Sequence, residues 1–356
     1  LKWLNTEQAL GDIATFHSYV STKYNLTARN KWITFGGSYP GMVAALARYR
    51  YPHLIFAAVS SSAPLEAALE MPGYNNVVAH SMAALNVGGS PTCLHAIKEG
   101  HEKIGDRLQT AEGRRYLEKT FNFCKPLTLD NKQNQEAFAG DGVVYLPVQS
   151  NDPSCKDPYC NIKSICDLMT DVSAGTPLER LALLSQNQNG GHCINPSYDA
   201  MIKFYASPKN PDRSWLYQTC TEWGFYQTCN VGSECPYTQG LHTIDVDLEL
   251  CAKAFGVPSE EVSAQISNTI AIYGGKNIQG SRIFFTNGEI DPWHANSVLR
   301  SPNVEELTNW VQGASHHFWT HPSLPTDSEQ VNWARTRIWT KVSTYYMYTW
   351  VLLVDC

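Results

Sequence analysis

The sequence predicts an α/β fold built on a parallel sheet and interrupted by a mainly helical, disulfide-bonded insertion. Three observations predict it. A strand-like run at 31–35, an alanine-rich helical run at 42–49 and a second apolar run at 55–59 follow one another at βαβ spacing, which requires parallel strands. Strand-like runs return at 282–286 and near 307–311. Between these two groups lie ten of the eleven cysteines, from Cys93 to Cys251, in sequence that alternates helical stretches with Gly/Pro/Asn-rich loops.

Length and composition agree with this division. At 356 residues the chain exceeds the size at which one core usually stops growing, so a second domain or a large insertion is expected. The breaks in pattern set the sheet domain at 1–63 and 266–345, the insertion at 64–265 and an unassigned tail at 346–356. The apolar stretch at 345–354 is about half the length needed to cross a bilayer, so no membrane partner is expected. Apolar residues make up 43% and charged ones 17%, which argues for a packed chain rather than a disordered one. A net charge of −6 without a Lys/Arg-rich run gives no field for a polyanion, so nucleic acid is excluded as a partner.

The cysteines read as a disulfide framework. No paired C-x₂-C units occur, and four residues separate Cys155 from Cys160, so a zinc site is disfavoured and no metal is expected. Asn25-Leu26-Thr27 is a glycosylation acceptor triplet. Together these features point to a secreted or lysosomal/endosomal protein.

The elements follow in order. Ala9, Leu10, Ile13, Phe16 and Val20 make an amphipathic helix over 6–24, with Asn5 placed to cap it. The β-branched and aromatic run at 31–35 ends in Gly36-Gly37, and a helix follows. Residues 92–108 form a helix of the insertion, and 328–346 a closing helix.

The chemistry is concentrated after the strands. Gly36-Gly37-Ser38-Tyr39-Pro40-Gly41 contains the G-x-S-x-G nucleophile elbow only if one spare residue is allowed. The physical need is still met. A serine on a strained strand-to-helix turn requires small neighbours, and Ala44, Ala45 and Ala47 let the next helix approach. An ordinary glycine-rich turn would look the same when taken alone. In α/β-hydrolases the acid and then the histidine follow the serine on loops after later strands, and this order separates the two readings. Asp291 sits just beyond the 282–286 strand, with Glu289 as the rival carboxylate. Of the histidines beyond it, His294 shares the acid's own loop and bridges poorly, whereas His316 or His317 follows the 307–311 strand.

The chain is similar to the family of prolyl carboxypeptidase, dipeptidyl peptidase II and thymus-specific serine protease. The matching segments are LNTEQAL at 4–10, GGSYPGM at 36–42, SSAP at 61–64, QTCTE at 218–222, YGGKN at 273–277, FTNGEIDPW at 285–293 and GASHH at 313–317. The resemblance implies an α/β-hydrolase fold interrupted by a helical, disulfide-bonded cap. By motif it makes Ser38 the nucleophile, Asp291 the acid and His316, first of the pair, the base. It also implies bonds Cys93–Cys166, Cys124–Cys193 and Cys220–Cys251. Cys229 departs from the family pattern, and nearby Cys235 is the substitute partner.

What the resemblance implies is a serine exopeptidase that cuts peptides after proline near a chain end, with no cofactor. The Tyr39 N–H would be one oxyanion donor. Met42, Trp293, Tyr226 and Trp319 are candidates for an apolar pocket that accepts a proline ring, which offers no N–H. Each is also explained by ordinary core packing. Only one helix and one strand precede Ser38, so N-terminal strands and the second oxyanion donor are expected to be missing. That keeps two other functions open, an esterase or lipase of the same fold and a non-catalytic fragment. A homodimer is also left open.

Overall fold

The computed structural model describes residues 1–351, with side chains through 344; of the tail at 346–356, residues 352–356 lie outside the described residues. The chain divides into two compact units, Leu1–Ala67 with Ser267–Cys356, and Ala68–Ile266.

The first unit is a mixed α/β layer structure. Helix α1 (Thr6–Lys23) opens with Asn5, whose side chain accepts the Gln8 N–H at 2.7 Å. Strand β1 (Trp32–Gly37) leads into helix α2 (Tyr39–Arg50) and strand β2 (Ile55–Ser61), and the chain re-enters the sheet as β3 (Ile283–Gly288) and β4 (Glu306–Val311). The strands lie in the order β1-β2-β3-β4 and every pairing is parallel, with Gly36 opposite Ser60, Ser61 opposite Thr286 and Gly288 opposite Val311. The two central strands are buried along nearly their whole length. This is why they read in the sequence as continuous apolar runs and not as alternations.

Helix α2 lies against β1 and β2 because its inner side is almost bare of side chain: Ala45 and Ala47 are fully buried and Ala44 nearly so. Hydroxyls of the strands reach its carbonyls, Thr34 donating to Ala44 at 3.0 Å and Ser60 to Gly41 at 2.9 Å. The buried Arg48 guanidinium donates to the carbonyls of Pro52, Ile55 and Ser281, and so pins the starts of β2 and β3 together. Helix α3 (Glu329–Val351) covers the end of β4 through a cluster of Val311, Ala314, Trp319, Val331 and Ala334.

The second unit is mainly helical, with long helices at Pro91–Leu108, Pro177–Gln188 and Ile244–Phe255. It also holds a two-stranded parallel sheet, Ala68–Glu70 with Gly224–Tyr226, in a stretch where the sequence shows no strand signal. Three-residue strands are too short to carry a periodicity. Five disulfides staple it: Cys93–Cys166, Cys124–Cys193, Cys155–Cys160, Cys220–Cys251 and Cys229–Cys235. Among the described residues no helix is long and apolar enough to cross a membrane.

Candidate active site

Ser38 stands between β1 and α2 with φ 61° and ψ −133°, a conformation that costs a non-glycine residue energy and is held only by firm surroundings. Those surroundings are identifiable. The Ser38 N–H donates to Ser61 O at 2.9 Å, and its carbonyl accepts the Met42 N–H at 3.1 Å, so both sides of the turn are fixed. A Cβ at Gly36 would lie 2.0 Å from the Pro40 carbonyl oxygen, and one at Gly41 would lie 2.8 Å from that of Ser61. Main chain therefore bars a side chain at 36 and at 41, whereas at 37 the obstacle is the His317 ring. The Ser38 side chain makes no capping bond to α2.

Asp291 comes from the loop after β3 and is fully buried. Its Oδ1 accepts two hydrogen bonds, from the Trp293 N–H at 3.0 Å and from His316 Nδ1 at 2.9 Å. Because a carboxylate only accepts, the imidazole proton sits on Nδ1 and the lone pair on Nε2. His316 is 7% exposed, and no group among the described residues hydrogen-bonds its Nε2, Ser38 included. The ring lies beside that of Trp293, with centroids 6.2 Å apart. This is a buried, oriented proton acceptor next to the strand ends, the form a general base takes.

The loops carrying Asp291 and His316 are tied together by backbone. Glu289 N–H donates to Val311 O at 3.0 Å, and Ile290 N–H to Ala314 O at 3.2 Å. Glu289, the rival carboxylate, accepts the Gly313 N–H on Oε2 at 2.7 Å and so braces the histidine loop. His294 faces elsewhere, with Nδ1 at 3.0 Å from Gly288 O and its ring against Trp310. His317 turns back with φ 40°, its N–H bonded to Ser62 Oγ at 2.8 Å and its Nδ1 3.0 Å from Thr320 Oγ1. Its ring packs over Gly37, where an added Cβ would lie 2.8 Å from His317 Cγ. Burial, with the neighbouring His316 imidazole adding to it, pushes the His317 imidazole down to about 4.

The remaining candidates fall in several places. Met42 is fully buried within α2. Trp319 belongs to the cluster under α3 and donates its indole N–H to Ser61 Oγ at 3.0 Å. Tyr226 lies in the second unit, its hydroxyl 3.0 Å from Cys251 Sγ. Tyr39 opens α2, and its phenol oxygen lies 3.0 Å from Thr6 Oγ1. Asn25 is exposed just beyond α1. Sequence reasoning assigned no role to Ser61, Ser62 or Thr320, since hydroxyls are common everywhere and only their partners distinguish them. It proposed no partner for Cys155 or Cys160 either.

The family model for serine carboxypeptidase S28 matches residues 1–338 of the chain. The chain belongs to the serine carboxypeptidase S28 family. Thymus-specific serine protease of Mus musculus is 33% identical over 95% of this chain and 68% of its own length. The Homo sapiens protein of that name is 32% identical over 97% of this chain and 69% of its own. Lysosomal Pro-X carboxypeptidase of Bos taurus is 26% identical over 99% and 69%. As a member of the S28 family the chain is a serine-type peptidase, and its parallel α/β sheet and disulfides are consistent with an α/β-hydrolase-like fold.

Proposed function

We propose that this S28 peptidase is a serine exopeptidase that cleaves after proline near a chain end, with Ser38 as nucleophile, His316 as base and Asp291 as the group that fixes the base. The observation that carries the proposal is the buried Asp291–His316 hydrogen bond on Nδ1, which leaves Nε2 as a lone pair with no partner among the described residues. In this reading Nε2 takes the Ser38 proton as Oγ attacks the scissile carbonyl, and an acyl-enzyme forms as the leaving amine takes that proton. The Tyr39 N–H, first of α2, would donate to the oxyanion, aided by the helix N-terminus. Water then attacks the acyl-enzyme by the same route in reverse.

Cleavage after proline is supported by the name of the bovine relative, a Pro-X carboxypeptidase. Trp293, whose ring centroid lies 6.2 Å from that of His316, is the strongest candidate to meet the proline ring, with Met42 and Trp319 as further candidates in the same unit. In the same reading residues 1–63 and 266–345 are the hydrolase part and 64–265 its cap, Asn25 carries a glycan, and the protein works in lysosomes, endosomes or outside the cell. The test is a tagged fluorophosphonate together with Pro-containing peptides and short-chain esters. Labelling that is lost in Ser38→Ala, and turnover of the peptides above the esters, is expected. Equal labelling of wild type and Ser38→Ala would sink the proposal.

A further inference from the structure

We infer that the end of the sheet where the strands begin carries a second binding site, one for a phosphate or sulfate group. A cavity of about 520 Å³ opens there, formed by His17 and Ser21 of α1, the loop after it, the starts of β1 and β2, the loop before β2 and the residue before β3. It is within the range of small-molecule sites, roughly 300–1,000 Å³. No Asp or Glu lines it, although the chain as a whole carries a net −6.

Its charge comes from Lys31 and Arg282, and both lean on one aromatic ring. Lys31 Nζ lies 5.5 Å and Arg282 Cζ 4.5 Å from the centroid of Phe56. Each contact is favourable alone, but two cations on one ring repel each other. No carboxylate among the described residues lies within 4.0 Å of either, so the protein does not neutralise them. Lys31 spends one N–H on Ala28 O at 2.8 Å. The Arg282 guanidinium has no hydrogen-bond acceptor among the described residues, which leaves a planar fork of donors with the geometry that oxyanions match.

Arg282 is also held in place against its own preference. Its φ is 54°, in the left-handed region, and the backbone is fixed by Ala58 N donating to its carbonyl at 3.0 Å and by its own N–H on Glu305 O at 3.1 Å. A residue held so at the mouth of a cavity has its side chain aimed by the sheet itself. The Asn30 side-chain N–H group adds a donor, the Thr27 hydroxyl being directed to Asn30 Oδ1 at 3.4 Å, while Trp32, Leu54 and Phe56 give an apolar wall for an organic group attached to the anion. Ser38 follows the far end of β1, about 20 Å along the strand, so this site stands apart from the peptidase chemistry.

The test is calorimetric titration of the full chain with inorganic phosphate, inorganic sulfate, glucose 6-phosphate and glucose. Saturable binding of the anions, none of glucose, and at least about tenfold weakening in Arg282→Gln are expected. Lys31→Gln, at an exposed position, must weaken binding as well and serves if the arginine variant fails a thermal-melt check of folding. Tighter binding of glucose 6-phosphate than of phosphate identifies an ester as the guest, and equal binding identifies the free ion; either upholds the site. Absence of saturable binding, or binding unchanged in both variants, overturns it.

Discussion

Gly288 and Ala314 meet so closely that a Cβ on Gly288 would lie 2.3 Å from the Ala314 carbonyl oxygen. The loop that bears His316 therefore crosses the end of β3 at van der Waals contact with bare backbone, which brings the imidazole within reach of Asp291.

Gly288→Ala should push that loop away, since the obstacle is main chain and cannot rotate aside. Overpacking of this kind costs about 1–3 kcal/mol. Urea denaturation should show that loss, and fluorophosphonate labelling should slow by more than the fraction unfolded explains.

Asp291→Asn should leave His316 with the wrong nitrogen protonated. The expected result is a fall in kcat of roughly 10⁴ with KM changed far less. Steady-state kinetics on a Pro-containing peptide would measure it, and a loss confined to KM would contradict the assigned role.

Glu289 offers a contrast on the same loop. Glu289→Gln keeps an acceptor for the Gly313 N–H and should be nearly silent, whereas Glu289→Ala removes it and should cost about 1–2 kcal/mol. If Glu289→Gln instead stopped labelling, the carboxylates would have been assigned the wrong way round.

Acid should weaken the fold through two histidines. Burial holds His101 down to about 3 and His317 to about 4, against an ordinary 6.5 when unfolded. Between pH 4 and 6.5 the unfolded chain binds the protons that the native one refuses, so stability rises with pH across that window. His242 acts elsewhere: flanked by Asp141 and Asp247, which outweigh its burial, it is raised to about 11 and stays charged in both states below 6.5. Denaturation midpoints measured from pH 4 to 7 should fall towards acid, and His317→Gln should flatten the slope.

The disulfides should differ in weight. Cys93–Cys166 closes a span of 73 residues and Cys155–Cys160 one of 5. Loop-closure entropy gives about 4 kcal/mol for the first and about 2 for the second. Paired Cys→Ala variants, compared by denaturant midpoint, should follow that order.

How much of this could be read from sequence depended on whether the determinant was a pattern or a partner. The central strands announce themselves, because burial on both faces leaves no polar alternation in 55–59 or 282–286. β3 runs on to Gly288, since Asn287 and Gly288 keep pairing with Trp310 and Val311 although neither looks like a strand former. The Asp-Pro-Trp and His-His words stand out, but the direction of each histidine is set by the left-handed turn at His317, which no residue type announces. Gly224–Tyr226 was illegible for another reason. Its close pairing with Ala68 shows only in space, where a Cβ at Gly224 would lie 2.1 Å from the Ala68 oxygen.

The Arg48 side chain joins the starts of two strands that the ribosome delivers far apart in time. Ser281, which it grips, follows Ile55 by 226 residues, so at roughly 5–20 residues per second β3 emerges about 11 to 45 seconds after β2. Throughout that interval the β1–α2–β2 unit waits with the β3 side of β2 unpaired and a guanidinium whose acceptors at Ser281 have yet to be synthesised. An unpaired strand edge exposed for that long is a template on which other chains can pair.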